Sequence, residues 1–537
     1  MAAIGAALIA LAVGPGTAAP QVPGANIVVD TTRDGNDGEC ARDCTIREAI
    51  ALADINTGRW VQIPPGVYKL TLGPLVLGND IVFGTGFGGN QSAGARTTII
   101  DARGASRVIQ VAANSSAVVA GLTLTGGGNV GAGGAAQVAA GTQLNLYDAI
   151  VDGNVATNSG GGIENGGSLA LFHTTVSGNR VVNGSGGGIT TAANSNAAIF
   201  SSTISGNGAS AQGGGITSAG SLSLQSTTIA NNSAAAGGGL YQQSAPSTTT
   251  LLQNTILGPN AGGSCGGSIA GVPRNFTSHN LAADGTCQFA TPTEGAVGDP
   301  RLAGLANNGG PTDTQALRAG SPAINAADPQ TCPTGSTDQR YATTVGTCDI
   351  GAFEFGGKPP QPVVPPPVAG ETVNVFTKSG KVRVRLPGSD EYFDLNDIQQ
   401  IPVGSTIDTT KGKVTFQAAG KSKAWFYKGL FKFKQAHGKK PLTTLTLTGA
   451  LQCSGSGKAS AAAKKKKKRR LWGDGKGKFR TKGKRSAATV VGTKWFVEDR
   501  CNGTLTKVFR GVVKVRDFGA KRTVRVKAGR QYFAKRR

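Results

Sequence analysis

The chain has 537 residues, 82 of them glycine and 8 cysteine, with a formal net charge of +25. Beyond its first residues no stretch reaches the roughly 18 apolar residues that span a bilayer, so a membrane-spanning core is excluded from the expected organisation. Residues 1–357 carry 13 Lys/Arg against 20 Asp/Glu, a net of −7, and residues 358–537 carry 42 against 10, a net of +32, which marks two physically different parts.

Residues 2–13 are almost wholly apolar and lead into Thr17-Ala18-Ala19. They predict a signal peptide over residues 1–24, without the basic stretch that usually opens one; the competing reading is a buried N-terminal strand. Next, Thr45-Ile46-Arg47-Glu48 reads as a capping box, Thr45 facing the backbone near Glu48 and Glu48 answering the Thr45 amide. Ile46, Ala49, Ile50 and Ala53 share one face of the short helix that follows, before Trp60-Val61-Gln62-Ile63 opens the first strand. Asp34, Asp37, Cys40 and Cys44 to Ile50 resemble the CSLREA motif, with Thr45 and Ile46 in place of its usual Ser-Leu. The resemblance implies an N-terminal cap ahead of a right-handed parallel β-helix (the pectin lyase-like fold) in an exported bacterial protein. Asp34 and Asp37 lack the spaced oxygen pattern of a calcium loop, so no metal is assigned.

Between residues 151 and 232 one phrase recurs: Val151-Asp-Gly-Asn154, Val176-Ser-Gly-Asn179, Ile204-Ser-Gly-Asn207 and Ile229-Ala-Asn-Asn232, in steps of 25, 28 and 25 residues. Alternating apolar pairs precede each copy (Leu144/Leu146, Leu169/Leu171, Ala197/Ile199, Leu222/Leu224), and a glycine cluster ending in Ile163, Ile189, Ile216 or Leu240 follows. A period of this size with in/out alternation of two predicts stacked coils of a parallel β-helix over residues 27–357. Like residues then stack about 4.8 Å apart. Asn154, Asn179, Asn207 and Asn232 are expected to form an amide ladder, Val151, Val176, Ile204, Ile229 and Ile256 an inner aliphatic stack, and the glycines the corners.

Many polysaccharide lyases and hydrolases use this architecture, so catalysis is judged on its chemistry. Residues 181–273 hold no Asp, Glu, Lys, Arg or His, a run of 93. Asp148, Asp152, Glu164, His173 and Arg180 are the clustered charged groups of the middle coils, open to a composite site or to solvent-facing charges on a neutral rod. No catalytic residue and no cofactor is assigned.

The cysteines fall into four neighbourhoods, predicting disulfides Cys40–Cys44, Cys265–Cys287, Cys332–Cys348 and Cys453–Cys501 in an oxidising compartment. Asp299-Pro-Arg-Leu302, Asn307-Asn-Gly-Gly-Pro-Thr312, Gly320-Ser-Pro-Ala-Ile324 and Cys348-Asp-Ile-Gly-Ala-Phe-Glu354 resemble the choice-of-anchor region of Q type, which implies that this segment closes a surface β-helix. Within it, Asp338-Gln339-Arg340 reads as a ligand site or as a buried ion pair locking the last coil against a strand from Asp349 to Glu354.

A proline-rich linker occupies residues 358–370. Residues 371–537 then alternate apolar and charged positions, as in Lys381-Val-Arg-Val-Arg-Leu386 and Arg522-Thr-Val-Arg-Val-Lys527, predicting half-buried antiparallel strands in a β-sandwich or roll. The stretch Arg485 to Asp499, with Gly503 to Thr506 and Val508 to Val515, resembles the core of a FecR-type domain, which occurs in envelope signalling proteins and in exported modules. Trp425, Trp472 and Trp495 are expected in the core of this domain.

Lys464, Lys465, Lys466, Lys467, Lys468, Arg469 and Arg470 are seven cations in succession, enlarged by Lys476, Lys478 and Arg480 and expected in an exposed insertion near residues 455–485. Such density is too costly to bury, so it predicts a solvated patch for anionic envelope polymers, extracellular polysaccharide or other extracellular polyanions, without specific nucleic-acid recognition. The residues together point to an exported, secreted or cell-surface protein acting in adhesion, glycan or polyanion binding, or envelope association. A secreted polysaccharide lyase or hydrolase and a FecR-like envelope sensor are the alternatives.

Overall fold

The structure, a computed structural model, describes residues 27–536 apart from 41–42, 56–59, 85–94, 244–248, 269–277, 334, 361–365, 388–391, 396–398, 440, 452 and 454–467. The predicted leader and Lys464 to Lys467 thus lie outside the described residues. Two compact units part between residues 361 and 362.

The first unit is a parallel β-helix of three sheets with nine, ten and eight strands, here A, B and C. Each complete coil in the middle of the solenoid gives one strand to each sheet, as with Gln143–Tyr147 to A, Ile150–Asp152 to B and Ile163–Asn165 to C. The expected stacks are in register: Leu144, Leu169, Ala197 and Leu222 in A; Val151, Val176, Ile204 and Ile229 in B; Ile163, Ile189, Ile216 and Leu240 in C. All are buried in one continuous core. One member differs. Leu257, not Ile256, pairs with Ile229, and Ile256 pairs with Thr228 so that it faces out of the coil.

Asparagine amides tie the coils together. Asn154 donates through Nδ2 to Asn179 Oδ1 at 2.9 Å, Asn179 to Asn207 at 2.9 Å and Asn207 to Asn232 at 3.0 Å. A fifth rung, unforeseen, is Asn260, which accepts from Asn232 at 3.1 Å. Each Nδ2 also reaches a carbonyl of the preceding coil, such as Val151 O from Asn179 at 2.9 Å. Glycine is required beside this ladder: a Cβ on Gly161 or Gly187 would run into the carbonyl of the glycine one coil further on.

The corner between sheets A and B is taken by Gly121 in one coil and by other residues in the coils after it. Asp148, His173, Ser201, Ser226, Asn254 and His279 occupy it in successive coils, with φ of 50°, 49°, 42°, 48°, 49° and 51°. Their amides continue the inter-coil ladder, as Asp148 N to Phe172 O and His173 N to Phe200 O.

Helix α1, Ile46–Ile55, covers the N-terminal end of the core. Thr45 N donates to Glu48 Oε2 at 2.8 Å and Glu48 N to Thr45 Oγ1 at 3.3 Å, which is the capping box. Asp34 is spent on Arg47 and on the amides of Thr71 and Leu72. All four predicted disulfides are formed.

After the last coil the chain turns back along the outside of sheet B, so residues 299–355 lie along the flank of the rod. Arg96 meets Asp313 at 2.7 Å, Thr175 donates to Asp313 O, Thr203 to Gln339, and Ser278 to Asp328. A second apolar cluster forms beneath this strap from Ile256, Leu281, Leu317, Ala323, Ala327, Ile350 and Phe353. The Asp338–Arg340 ion pair is buried at 2.6 Å, and Arg340 also donates to Glu354 O. Asp349 to Glu354 is not a strand. It is held by side chains, Asp349 N donating to Glu354 Oε2 and Glu354 N to Asp338 Oδ2.

The second unit is one continuous thirteen-stranded sheet around a single core, the roll rather than two stacked sheets. Phe416, Phe426, Phe433, Phe479 and Trp495 form that core edge to face, an arrangement that suits aromatic quadrupoles.

Candidate polyanion-binding face

The predicted basic insertion is largely a strand. Arg469–Lys482 lies inside the sheet, bonded to Ser486–Arg500 on one side and to Ser422–Tyr427 and Thr443–Leu447 on the other. Leu471, Gly473, Phe479 and Thr481 point inward, while Arg470, Trp472, Asp474, Lys476, Lys478, Arg480 and Lys482 point outward, so the cations leave the core on the strand's alternation except Arg469, which shares the side of Leu471 and has its Nε buried. A bulge between Gly475 and Lys478 divides this outer face in two.

The first half mixes rings with both signs of charge. Trp472 stacks on Tyr427 with centroids 5.8 Å apart and on Phe509 at 4.9 Å. Lys413 lies 5.0 Å from the centroids of both Trp425 and Tyr427, within cation–π range. Trp425 and Trp472 are therefore surface residues, and only Trp495 is in the core. The cause is Gly473, whose inward position is filled by the Trp495 indole that a Cβ would meet. Acids neutralise this end: Asp474 pairs with Arg510 at 2.6 Å, and Glu498 with Arg500 at 2.6 Å and Lys468 at 3.8 Å.

Beyond the bulge the acids stop. Cross-strand register places Lys434, Thr444, Arg480, Thr489, Lys514 and Arg525 in one outward row. Two residues along, Lys432, Thr446, Lys482, Ala487, Arg516 and Thr523 form a second. The lysines, Arg516 and Arg525 are exposed, and among the described residues none of the seven cations has a carboxylate partner. Lys432, Lys434, Lys514, Arg516 and Arg525 were not among the predicted site residues; the alternation of their strands was the available signal.

The charged groups of the β-helix do not converge. Asp148 and His173 meet at the A/B corner, Nδ1 to Oδ1 3.8 Å, whereas Asp152 accepts from Ser177 at the end of a B strand, Glu164 belongs to sheet C and Arg180 is exposed. Tyr341 covers the corner, its hydroxyl donating to both Asp148 oxygens at 2.9 and 3.0 Å and its ring 4.3 Å from His173. Burial pushes the His173 imidazole down to about 4 and, with the Asp148 charge, the Tyr341 phenol well above its ordinary value. Among the described residues no group of three His, Cys, Asp or Glu is placed to hold a metal ion, and no helix is long and apolar enough to cross a membrane.

Residues 107–278 match the family model described as the right handed beta helix region, which gives the solenoid its hand. No curated protein matches the chain.

Proposed function

We propose that the chain is an exported surface or extracellular protein whose neutral β-helix serves as a rod and whose basic roll holds it on anionic envelope polymers or extracellular polysaccharide. The carrying observation is the outer sheet face beyond the Gly475–Lys478 bulge, where seven cations stand without a carboxylate partner. Charge that is neither paired nor buried does little for stability and is available to a polyanion. Four disulfides fit an oxidising compartment. The CSLREA-like, choice-of-anchor Q-like and FecR-like segments support the same location. The lyase or hydrolase reading draws no support from Asp148 and His173, which are packed under Tyr341.

The test is binding of the purified full chain to immobilised acidic polysaccharide from about 50 to about 500 mM salt, a range that takes surface charges from weak to strong screening. Affinity is expected to fall log-linearly with salt as counterion release is suppressed. No binding at the lowest salt, or binding indifferent to salt, overturns the proposal.

A further inference from the structure

The two basic rows carry a spacing as well as a sign. In the first row cations occupy the strands Leu430–Gln435, Arg469–Lys482, Val512–Asp517 and Thr523–Lys527, and threonines the two strands between, Thr443–Leu447 and Ser486–Arg500. The second row repeats this with Lys432, Thr446, Lys482, Ala487 and Arg516. Neighbouring strands lie about 4.8 Å apart, so over the first five strands a cation recurs about every 9.6 Å with a hydroxyl or a methyl halfway. Arg480 Nε donates to Thr489 Oγ1 at 3.2 Å, which fixes one guanidinium across the row.

We infer that this face binds a linear acidic polysaccharide in which a charged sugar alternates with a neutral one. A sugar is close to one strand spacing in length. A polymer charged on every second unit therefore presents its carboxylates or sulfates at every second strand, and its neutral sugars, rich in hydroxyls, to Thr444, Thr446 and Thr489. Single-stranded nucleic acid fits less well. Its recognition rests on aromatic platforms for successive bases, and the stacked rings Tyr427, Trp472 and Phe509 lie on the other side of the bulge, where Asp474 and Glu498 oppose a phosphate chain, while Phe518 is a single ring beside the second row. The inference rests on the proposed polyanion-binding role and names its surface and its polymer.

The probes are a polymer of alternating glucuronate and N-acetylglucosamine, polygalacturonate with a charge on every sugar, and single-stranded DNA. One variant replaces Lys434, Arg480, Lys514 and Arg525 by Gln. A charge-matched control replaces the exposed Lys411, Lys421, Lys507 and Lys535 by Gln. A third carries Thr444→Val and Thr446→Val, which leaves charge unchanged, and thermal melting verifies that each variant is folded. The row variant is expected to lose about tenfold or more in affinity for the alternating polymer, with a salt slope reduced by roughly the charges removed, and the control much less. The valine pair is expected to weaken the alternating polymer while leaving polygalacturonate and DNA unchanged. Equal losses in row variant and control, or valine effects shared by all probes, overturn the inference while leaving the proposed function in place. DNA bound more tightly than either polysaccharide and lost with the row also overturns it. Wild-type chain that binds none of the probes overturns the proposed function itself.

Discussion

His173 shows how one side chain can be committed by its position. Its backbone sits at a left-handed corner that few residues accept, and its ring lies against Tyr341 with the buried Nδ1 lacking a hydrogen-bond partner. Burial holds the folded-state value at about 4, while the unfolded chain titrates near the ordinary value of 6.5. Between those values the unfolded state binds the extra proton, so this contribution is present above 6.5 and is lost as pH falls toward 4. The carboxyls of Asp349 and Glu354, raised chiefly by burial, act in the opposite sense: their contribution is present at low pH and is lost as pH rises through their raised values. His173→Asn suits the left-handed backbone, since Asn254 already fills the same corner. Wild-type stability, measured by denaturant unfolding, is expected to drop by about 2 kcal/mol more than that of the variant between pH 7 and 4.5. Parallel pH profiles would refute the assignment.

At the scale of the element, the asparagine ladder is a column of shared hydrogen bonds. Asn207→Ala removes the acceptor of the Asn179 amide and side chain and the donor to Val176 O in one step. With several buried groups left unsatisfied, a loss of about 3 kcal/mol is expected in the unfolding of the first unit by calorimetry. A loss under about 1 kcal/mol, the net value of an ordinary hydrogen bond, would show that water replaces the rung. This ladder was legible because identical side chains recur at one place in every coil. Leu257 and Asn260 were missed because Gly258-Pro259 breaks the phrase, although the register persists. The A/B corner was invisible for the opposite reason, since Asp, His, Ser and Asn share a backbone conformation there and no chemistry. Thr175, Thr203 and Thr228 stand on the outside of their coils and are buried because a segment more than a hundred residues away covers them. In the roll, alternation gives the strands, whereas Trp472 faces outward because its neighbour Gly473 makes room inside for Trp495. The candidate face was partly legible: the sequence drew attention to a run of cations, whereas the unpaired rows come from register across six strands.

For the whole molecule, the separation of charge predicts two thermal responses. The second unit lies almost wholly within residues 358–537, which carry a net charge of +32, and the first almost wholly within residues 1–357, which carry −7. Self-repulsion of the basic roll is screened by salt, so two calorimetric transitions are expected, and the transition of the roll should rise by several degrees between about 20 and about 300 mM salt while the other moves little. A single transition, or equal shifts, would contradict the independence of the units. Mild reductant, by contrast, is expected to lower both, because disulfides lie in each unit.

The flanking strap changes what tension can do to the rod. A solenoid pulled from its last coil would peel one turn at a time, each turn yielding at the force of a single coil interface. Here the chain leaving the last coil runs back to Arg96 at Asp313, returns to Ser278 and Asn254 at Asp328, runs back again to Thr203 and Asp148 at Gln339 and Tyr341, and passes Asn254 and Thr228 at Gly351 and Ala352 before it exits. A pull on the exit therefore loads contacts to early and late coils together, in shear, and the unspooling of any coil waits on the failure of that seam.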